Sequence, residues 1–501
     1  MSRHFISPGS PALAGLAALL VGCAAVPASA PAPVVAPAAA MPTQATPSAS
    51  PPAAAALPPG MPDLTRARPA IHAFSAAEID RVAGRSGLTD CFWVGTVSPT
   101  TFNILIPDSG LVYWLSQFKL PAGAKLELKG QYPHARYLSF NSYNPVGQPV
   151  DALNDQQIEP DAGHANPYLP GASRQAAQRD YTVKIETRAL QAGTRVDNST
   201  RPRNTLFVPT DDPLFQLWMR VYVPDQGRDA KGGVALPKPV LTLADGRKLE
   251  GDSLCREIVV KEGAVKDFKA TPEGMRHVFA VPGAKAPFHP AQPAPVPWFA
   301  FFNPQLTLGN YLVNTPYEPV RNRMDITRRA GFYSTLDNVY MSTSVDSRYG
   351  DVLVMRGQAP RTPRTQKGAA TMDANVDLRY WSVCKYRSVA DGAVDSCIYD
   401  EQAPVDAAGR TLIVVSTPAA RPSNARTECG VAWMDWGVGD GIGNPHGGFV
   451  VLRHMLPAPS FKNSLWATQK PGDERAALGP YFPETSYEAK AAFEARGCPV
   501  K

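Results

Sequence analysis

The stretch Val150–His164 holds Asp151, Asp155, Glu159 and Asp161, then His164, with His134 one strand's length upstream. Carboxylates beside imidazoles suit general acid–base chemistry, so Asp151 or Asp155 acting with His134 or His164 is the candidate catalytic set for a hydrolase or lyase. The acidic spacing does not match an EF-hand loop, and no metal or cofactor is assigned. The same residues also read as a solvated acidic loop. Four arginines stand out for a different reason. Arg136 and Arg379 sit at the starts of apolar strands, and Arg220 and Arg453 lie inside them. A buried guanidinium must meet carboxylates or carbonyls. Either these arginines form ion pairs within each module, with Asp151, Asp155, Glu159 or Asp161 as partners, or they grip an anionic ligand.

Those arginines belong to strands that occur twice. Leu126-Glu127-Leu128-Lys129-Gly130-Gln131-Tyr132-Pro133 returns as Leu353-Val354-Met355-Arg356-Gly357-Gln358-Ala359-Pro360. Arg136-Tyr137-Leu138-Ser139-Phe140-Asn141-Ser142-Tyr143 returns as Arg379-Tyr380-Trp381-Ser382-Val383-Cys384-Lys385-Tyr386. Arg179 to Ile185 parallels Arg410 to Ser416, and Leu217 to Pro224 parallels Val450 to Pro457. Four matches in one order point to an internal duplication. With a period of two, one face of the second repeat carries Tyr137, Ser139, Asn141 and Tyr143, and in the other copy Tyr380, Ser382, Cys384 and Tyr386. That face suits a sugar or small molecule at the mouth of a sandwich. It equally suits tyrosines packed beneath covering loops with their hydroxyls on backbone. The candidate ligand residues are Arg136, Tyr137, Tyr143, Arg220, Arg379, Tyr380, Tyr386 and Arg453.

Every repeated piece is short, rich in β-branched and aromatic residues, and bounded by turn formers. The 51 prolines, about twice the usual share, argue against helices. The fold class expected is all-β: two jelly-roll-like sandwiches at 93–231 and 306–465, joined by a Pro-rich connection at 232–305. Short helices are expected at the ends, opened by capping boxes at Ser75–Glu78 within 63–92 and at Thr485–Glu488 within 466–501. The aromatics of Pro297–Phe302 are expected between the sandwiches. A net charge of +6 without a basic run gives no footprint for nucleic acid. No G-x-S-x-G, H-E-x-x-H, Walker or Rossmann pattern occurs.

Residues 1–22 have a basic start and an apolar run ending in Leu20-Val21-Gly22-Cys23. This resembles the lipobox of bacterial lipoproteins, which implies lipidation of Cys23 and a membrane partner through the anchor. Ala24 and Ala25 then imply the outer membrane. Residues 23–62, Ala/Pro-rich and uncharged after the anchor, read as a tether. Six further cysteines in an exported chain imply disulfides. A hairpin turning at Val389–Gly392 sets Cys384 opposite Cys397, and Cys91 with Cys498 is the expectation for tying the ends together. The paired R-Y-x-S-x-x-x-Y strands and Asp337-Asn338-Val339-Tyr340 resemble a family of uncharacterised secreted bacterial proteins with paired β modules. That resemblance implies fold and no catalytic residue. Where its members show Asn-Trp-Leu-Pro, this chain has Asn204-Thr205-Leu206-Phe207 and Gly430-Val431-Ala432-Trp433. The leading function expected is a lipid-anchored envelope protein that binds an envelope glycan or small anion. The alternatives are the acid–base enzyme and a purely structural protein.

Overall fold

The computed structural model describes residues 90–500 except 104, 145–146, 190–195, 210–213, 261–295, 304–305, 308–324, 332, 388–391 and 442–443. The lipobox, the tether, the Ser75 helix and most of the Val389–Gly392 turn lie outside the described residues.

The regular structure of the described chain is mostly β, in four sheets with few short helices. The first module pairs two of them. One has the order β1-β2-β8-β4-β5, with β1 Gly95–Val97, β2 Leu111–Phe118, β4 Ala135–Tyr143, β5 Pro149–Asn154 and β8 Phe215–Pro224. The other is β10-β9-β3-β6-β7, with β3 Lys125–Gln131, β6 Asp180–Arg188, β7 Thr205–Pro209, β9 Lys238–Thr242 and β10 Lys248–Leu249. The second module repeats the plan. Its first sheet is β11-β12-β18-β14-β15, from β11 Phe299–Ala300, β12 Asn338–Asp346, β14 Leu378–Tyr386, β15 Val394–Tyr399 and β18 Gly447–Pro457. Its second is β17-β16-β13-β19, from β13 Val352–Gln358, β16 Arg410–Ser416, β17 Ala432–Asp435 and β19 Glu484–Glu488. Even the parallel pair recurs, β6 with β7 and β16 with β17.

The register refines the duplication. Gly130 lies opposite Tyr181, and Gly357 opposite Thr411, so Tyr181 and Thr411 are equivalent. The third repeat is therefore one residue out of step with its match by letters, because Arg179 precedes β6 whereas Arg410 begins β16. The other three repeats hold, with Tyr113 opposite Arg220 and Tyr340 opposite Arg453.

The module boundaries move outward. Residues expected in the connection supply β9, β10 and the helix α1, Gly251–Ile258, to the first module, and β11 to the second. The tail supplies α2, Glu474–Leu478, then β19, then α3, Lys490–Glu494. Thr485–Glu488 is strand rather than the start of a helix, because pairing with β13 satisfies its backbone and the helix begins two residues later. Trp298 is buried in the second module's own core, its indole N–H donating to Thr485, rather than between the modules.

Three disulfides fasten the edges. Cys384 joins Cys397 across directly opposed positions, as the hairpin spacing predicts. Cys91 joins Cys255, and Cys429 joins Cys498. The expected Cys91–Cys498 bridge is corrected. Cys255 sits on α1, packed against the first module's core, and α3 returns the chain end to Cys429.

Candidate functional site

Alternation along β4 and β14 turns Leu138, Phe140, Trp381 and Val383 into the two sandwich cores. The opposite faces, carrying the tyrosines, meet each other, and both are fully buried. Several polar contacts across this interface have counterparts from the other copy. Tyr137 donates to Asp337 at 2.7 Å, and Tyr380 donates to Asp108 at 2.9 Å. Arg379 reaches Asp155 at 3.1 Å. Its equivalent Arg136 is bonded to Asp400 and to Glu401. Asp155 and Asp400 are themselves equivalent, since each follows the last residue of the strand paired to the Arg-Tyr strand.

The inner arginines repeat the pattern. Arg220 donates to the Tyr143 hydroxyl and the Tyr333 carbonyl, and its guanidinium lies 4.3 Å from the Tyr113 ring centroid. Arg453 donates to the Tyr386 hydroxyl and, at 2.8 Å, to the Ile106 carbonyl, and lies 5.6 Å from the Tyr340 ring centroid. Tyr143 then donates to the Ser334 carbonyl and Tyr386 to the Pro107 carbonyl. Ile106 and Tyr333, which present their carbonyls to the arginines, both adopt positive φ, at 58° and 49°. A β-branched or bulky residue there is strained, and the buried guanidinium holds each in place.

All eight candidate ligand residues are therefore occupied by protein. Arginines expected to pair within a sandwich, or to grip an anion, pair across the module interface instead. Of the carboxylates named for them, only Asp155 serves. Asp400 and Glu401 were missed, although the duplication places Asp400 at the position of Asp155. Burial holds the Tyr137 and Tyr380 hydroxyls well above the usual tyrosine range, and the nearby Asp337 and Asp108 add to it.

The acidic stretch is not a loop at its start. Asp151 lies in β5, held by both Arg201 guanidinium nitrogens and the Phe207 amide. Asp155 also accepts the Leu138 amide, and burial lifts its carboxyl to about 6 against the opposing pull of Arg379. Glu159 pairs with Arg203 at the surface, and Asp161 accepts from Thr182. His134 faces Arg179, and burial, followed by Arg179, lowers its imidazole to about 4. His164 accepts the Asp180 amide. The catalytic candidates are dispersed among these structural pairs, each with a different partner. Asp108 lies close to Cys384 and Cys397, but those sulfurs are bonded to one another and offer no thiolate.

A cleft that the sequence did not single out opens inside the second sandwich. It spans about 410 Å³ when the open solvent at its mouth is included. Met355, Gly357, Thr411 and Ile413 line it from one sheet and Trp381, Val383, Leu452 and His454 from the other, with Tyr481 and Pro483 at the side. His454 accepts the Leu465 amide on Nδ1 at 3.2 Å, and burial lowers its imidazole to about 3, so it is neutral. The Thr411 hydroxyl is buried with no hydrogen-bond partner. The available signal was the duplication itself, once read in register.

No family model matches the chain, and no curated protein matches it. Among solved structures, it is similar to an uncharacterised protein from Burkholderia cenocepacia at 14% identity, with 77% of this chain and 84% of that one covered and a TM-score of 0.39. It is also similar to a protein from Vibrio parahaemolyticus at 13% identity, covering 77% and 91%, with a TM-score of 0.33. These two neighbours are uncharacterised bacterial proteins.

Proposed function

We propose that this chain is a lipid-anchored cell-envelope protein that acts by binding a ligand, with the second module's cleft as its site. The observation that carries this reading is the cleft with the unpartnered Thr411 hydroxyl inside it. A buried hydroxyl without a partner costs about 1–3 kcal/mol, which a ligand group can recover. The first module contributes rigidity: the paired tyrosines and arginines hold it to its partner, so the cleft sits in a fixed frame. Three disulfides fit an oxidising compartment. Lipidation at Cys23 supplies the anchor in this reading, and the outer membrane is its address.

The test takes the full chain. Envelope glycan fragments and small organic compounds are screened by thermal shift, and at least one should raise the unfolding temperature in wild type but not in Ala359→Tyr. No stabilising compound in the whole set overturns the binding reading. Separately, Cys23→Ser should move the protein from the membrane fraction to the soluble one. An unchanged distribution overturns the anchor.

A further inference from the structure

The first module is an internal control for the cleft in the second. Tyr132, Tyr181 and Phe140 fill the corresponding space there, with the Tyr132 and Tyr181 rings 4.9 Å apart and Phe140 6.0 Å from Tyr181. Register places Ala359, Thr411 and Val383 at those three positions. All three substitutions shrink the side chain. Trp381 in place of Leu138 and His454 in place of Val221 give part of the volume back. Protein interiors are close-packed, so replacing three aromatics by Ala, Thr and Val empties space unless something else enters. The C-terminal segment carrying Tyr481 and Pro483 forms a wall and leaves the cleft open.

The polar groups inside define what fits. His454 accepts on Nδ1, which leaves its ring proton on Nε2 as a donor. Thr411 adds a hydroxyl with no protein partner. Arg356 lies on β13 between the inward-facing Met355 and Gly357, so by alternation it points to the other face of the sheet, where Val354 and Leu412 pack. Arg356 and Gln358 border the cleft too, but alternation along β13 turns both side chains away from its interior, and the Gln358 side-chain amide donates to the Ala408 carbonyl; the side chains that face inward thus offer two neutral donors, His454 and Thr411. A carboxylate or ammonium would lose its hydration without a counter-ion, whereas a neutral oxygen acceptor is matched. Only about 40 Å³ is enclosed, room for roughly three heavy atoms, so the carbonyl end of a ligand sits inside and the rest of its chain runs out along the apolar mouth.

We propose that the cleft binds a short neutral acyl group, an amide or ester carbonyl on a compact apolar chain, with the carbonyl oxygen accepting from Thr411 and His454. This rests on the reading of the chain as a ligand-binding protein.

The experiment titrates the full chain with hexanamide, hexanoate and hexylammonium at pH 7, followed by saturation-transfer NMR and by Trp381-sensitive fluorescence. Hexanamide should bind, in the millimolar range expected of so small a ligand, and the two charged probes at least about tenfold more weakly. Thr411→Val, which keeps shape and removes the hydroxyl, should weaken hexanamide by about threefold to tenfold. Ala359→Tyr, which restores the first module's residue, should abolish binding, with circular dichroism confirming the fold. Equal binding of the three probes, or hexanamide binding unchanged in both variants, overturns the inference. A glycan or other compound that binds and is blocked by Ala359→Tyr, while hexanamide does not bind, overturns the acyl assignment and leaves the binding reading standing.

Discussion

Replacing Arg136 with methionine removes the cation that two buried carboxylates share. The Asp400 and Glu401 side chains are 1% and 0% exposed, so neither can regain water without opening the interface. Both keep backbone donors, Asp400 from Trp381 and Glu401 from Gln366 and Lys367, and these soften the loss without neutralising the charge. Breaking a buried ion pair from one side costs about 3–5 kcal/mol, and two stranded acids place Arg136→Met towards the upper end. Burial already raises Asp400 above the usual carboxylate range. With the cation gone it rises further and can take up a proton. The folded state of the variant therefore gains protons on acidification, and its deficit relative to wild type should be smaller at pH 5 than at pH 8. Urea unfolding of both proteins, followed by far-ultraviolet circular dichroism and tryptophan fluorescence, measures the difference. The triple variant Arg136→Met, Asp400→Asn, Glu401→Gln keeps side-chain oxygens to accept from those backbone amides and removes both charges, and it should recover at least half of the loss. A loss below about 1 kcal/mol, or a triple variant no more stable than the single one, would refute the interface as the load on Arg136.

Other substitutions separate the remaining forces. Tyr137→Phe and Tyr380→Phe should each cost about 1–3 kcal/mol in the same urea assay, and by similar amounts, because each removes a hydroxyl from a buried aspartate. Removing Cys384–Cys397, with a separation of 13, should cost roughly 3 kcal/mol, and removing Cys91–Cys255, with a separation of 164, roughly 5, if chain entropy governs. Equal losses in paired alanine variants would reject that account. Acidification should destabilise the protein through His454: its imidazole protonates near pH 6.5 when unfolded but only at about 3 when folded, so stability falls between those values by about 1.4 kcal/mol per pH unit. Asp155, raised to about 6, acts in the opposite sense between about 4 and 6, so the comparison is with His454→Gln, whose stability should fall less steeply on acidification.

The fold was legible because its signals are local and written twice. Alternation in Leu138, Ser139 and Phe140 identifies a strand and its core face, and the repeat of the Arg-Tyr strand identifies its counterpart. The Cys384–Cys397 bridge followed from a spacing within one hairpin. The long-range pairings did not follow. Whether Cys91 meets Cys255 or Cys498 depends on where α1 and α3 pack, and nothing near those cysteines encodes it. The tyrosine face reads from sequence either as a ligand mouth or as tyrosines packed beneath covering loops, yet its covering is the other copy of the same face, a choice that strand periodicity cannot make. Asp155 and Arg379 were both named, but pairing was expected within each module, whereas they stand 224 positions apart in different modules.

Reciprocity explains why the two copies have kept one surface and changed another. At the interface, the contact Tyr137–Asp337 and its counterpart Tyr380–Asp108 keep the same residue types on both modules, and a change at any of the four breaks a buried bond between them. The sandwich interiors carry no such requirement, since each core packs only against itself. Divergence has occurred where Tyr132, Phe140 and Tyr181 stand opposite Ala359, Val383 and Thr411 in the equivalent frame, and not at the four arginines. A cleft arose in the one part of the module that the pairing leaves free, and the pairing holds the frame around it.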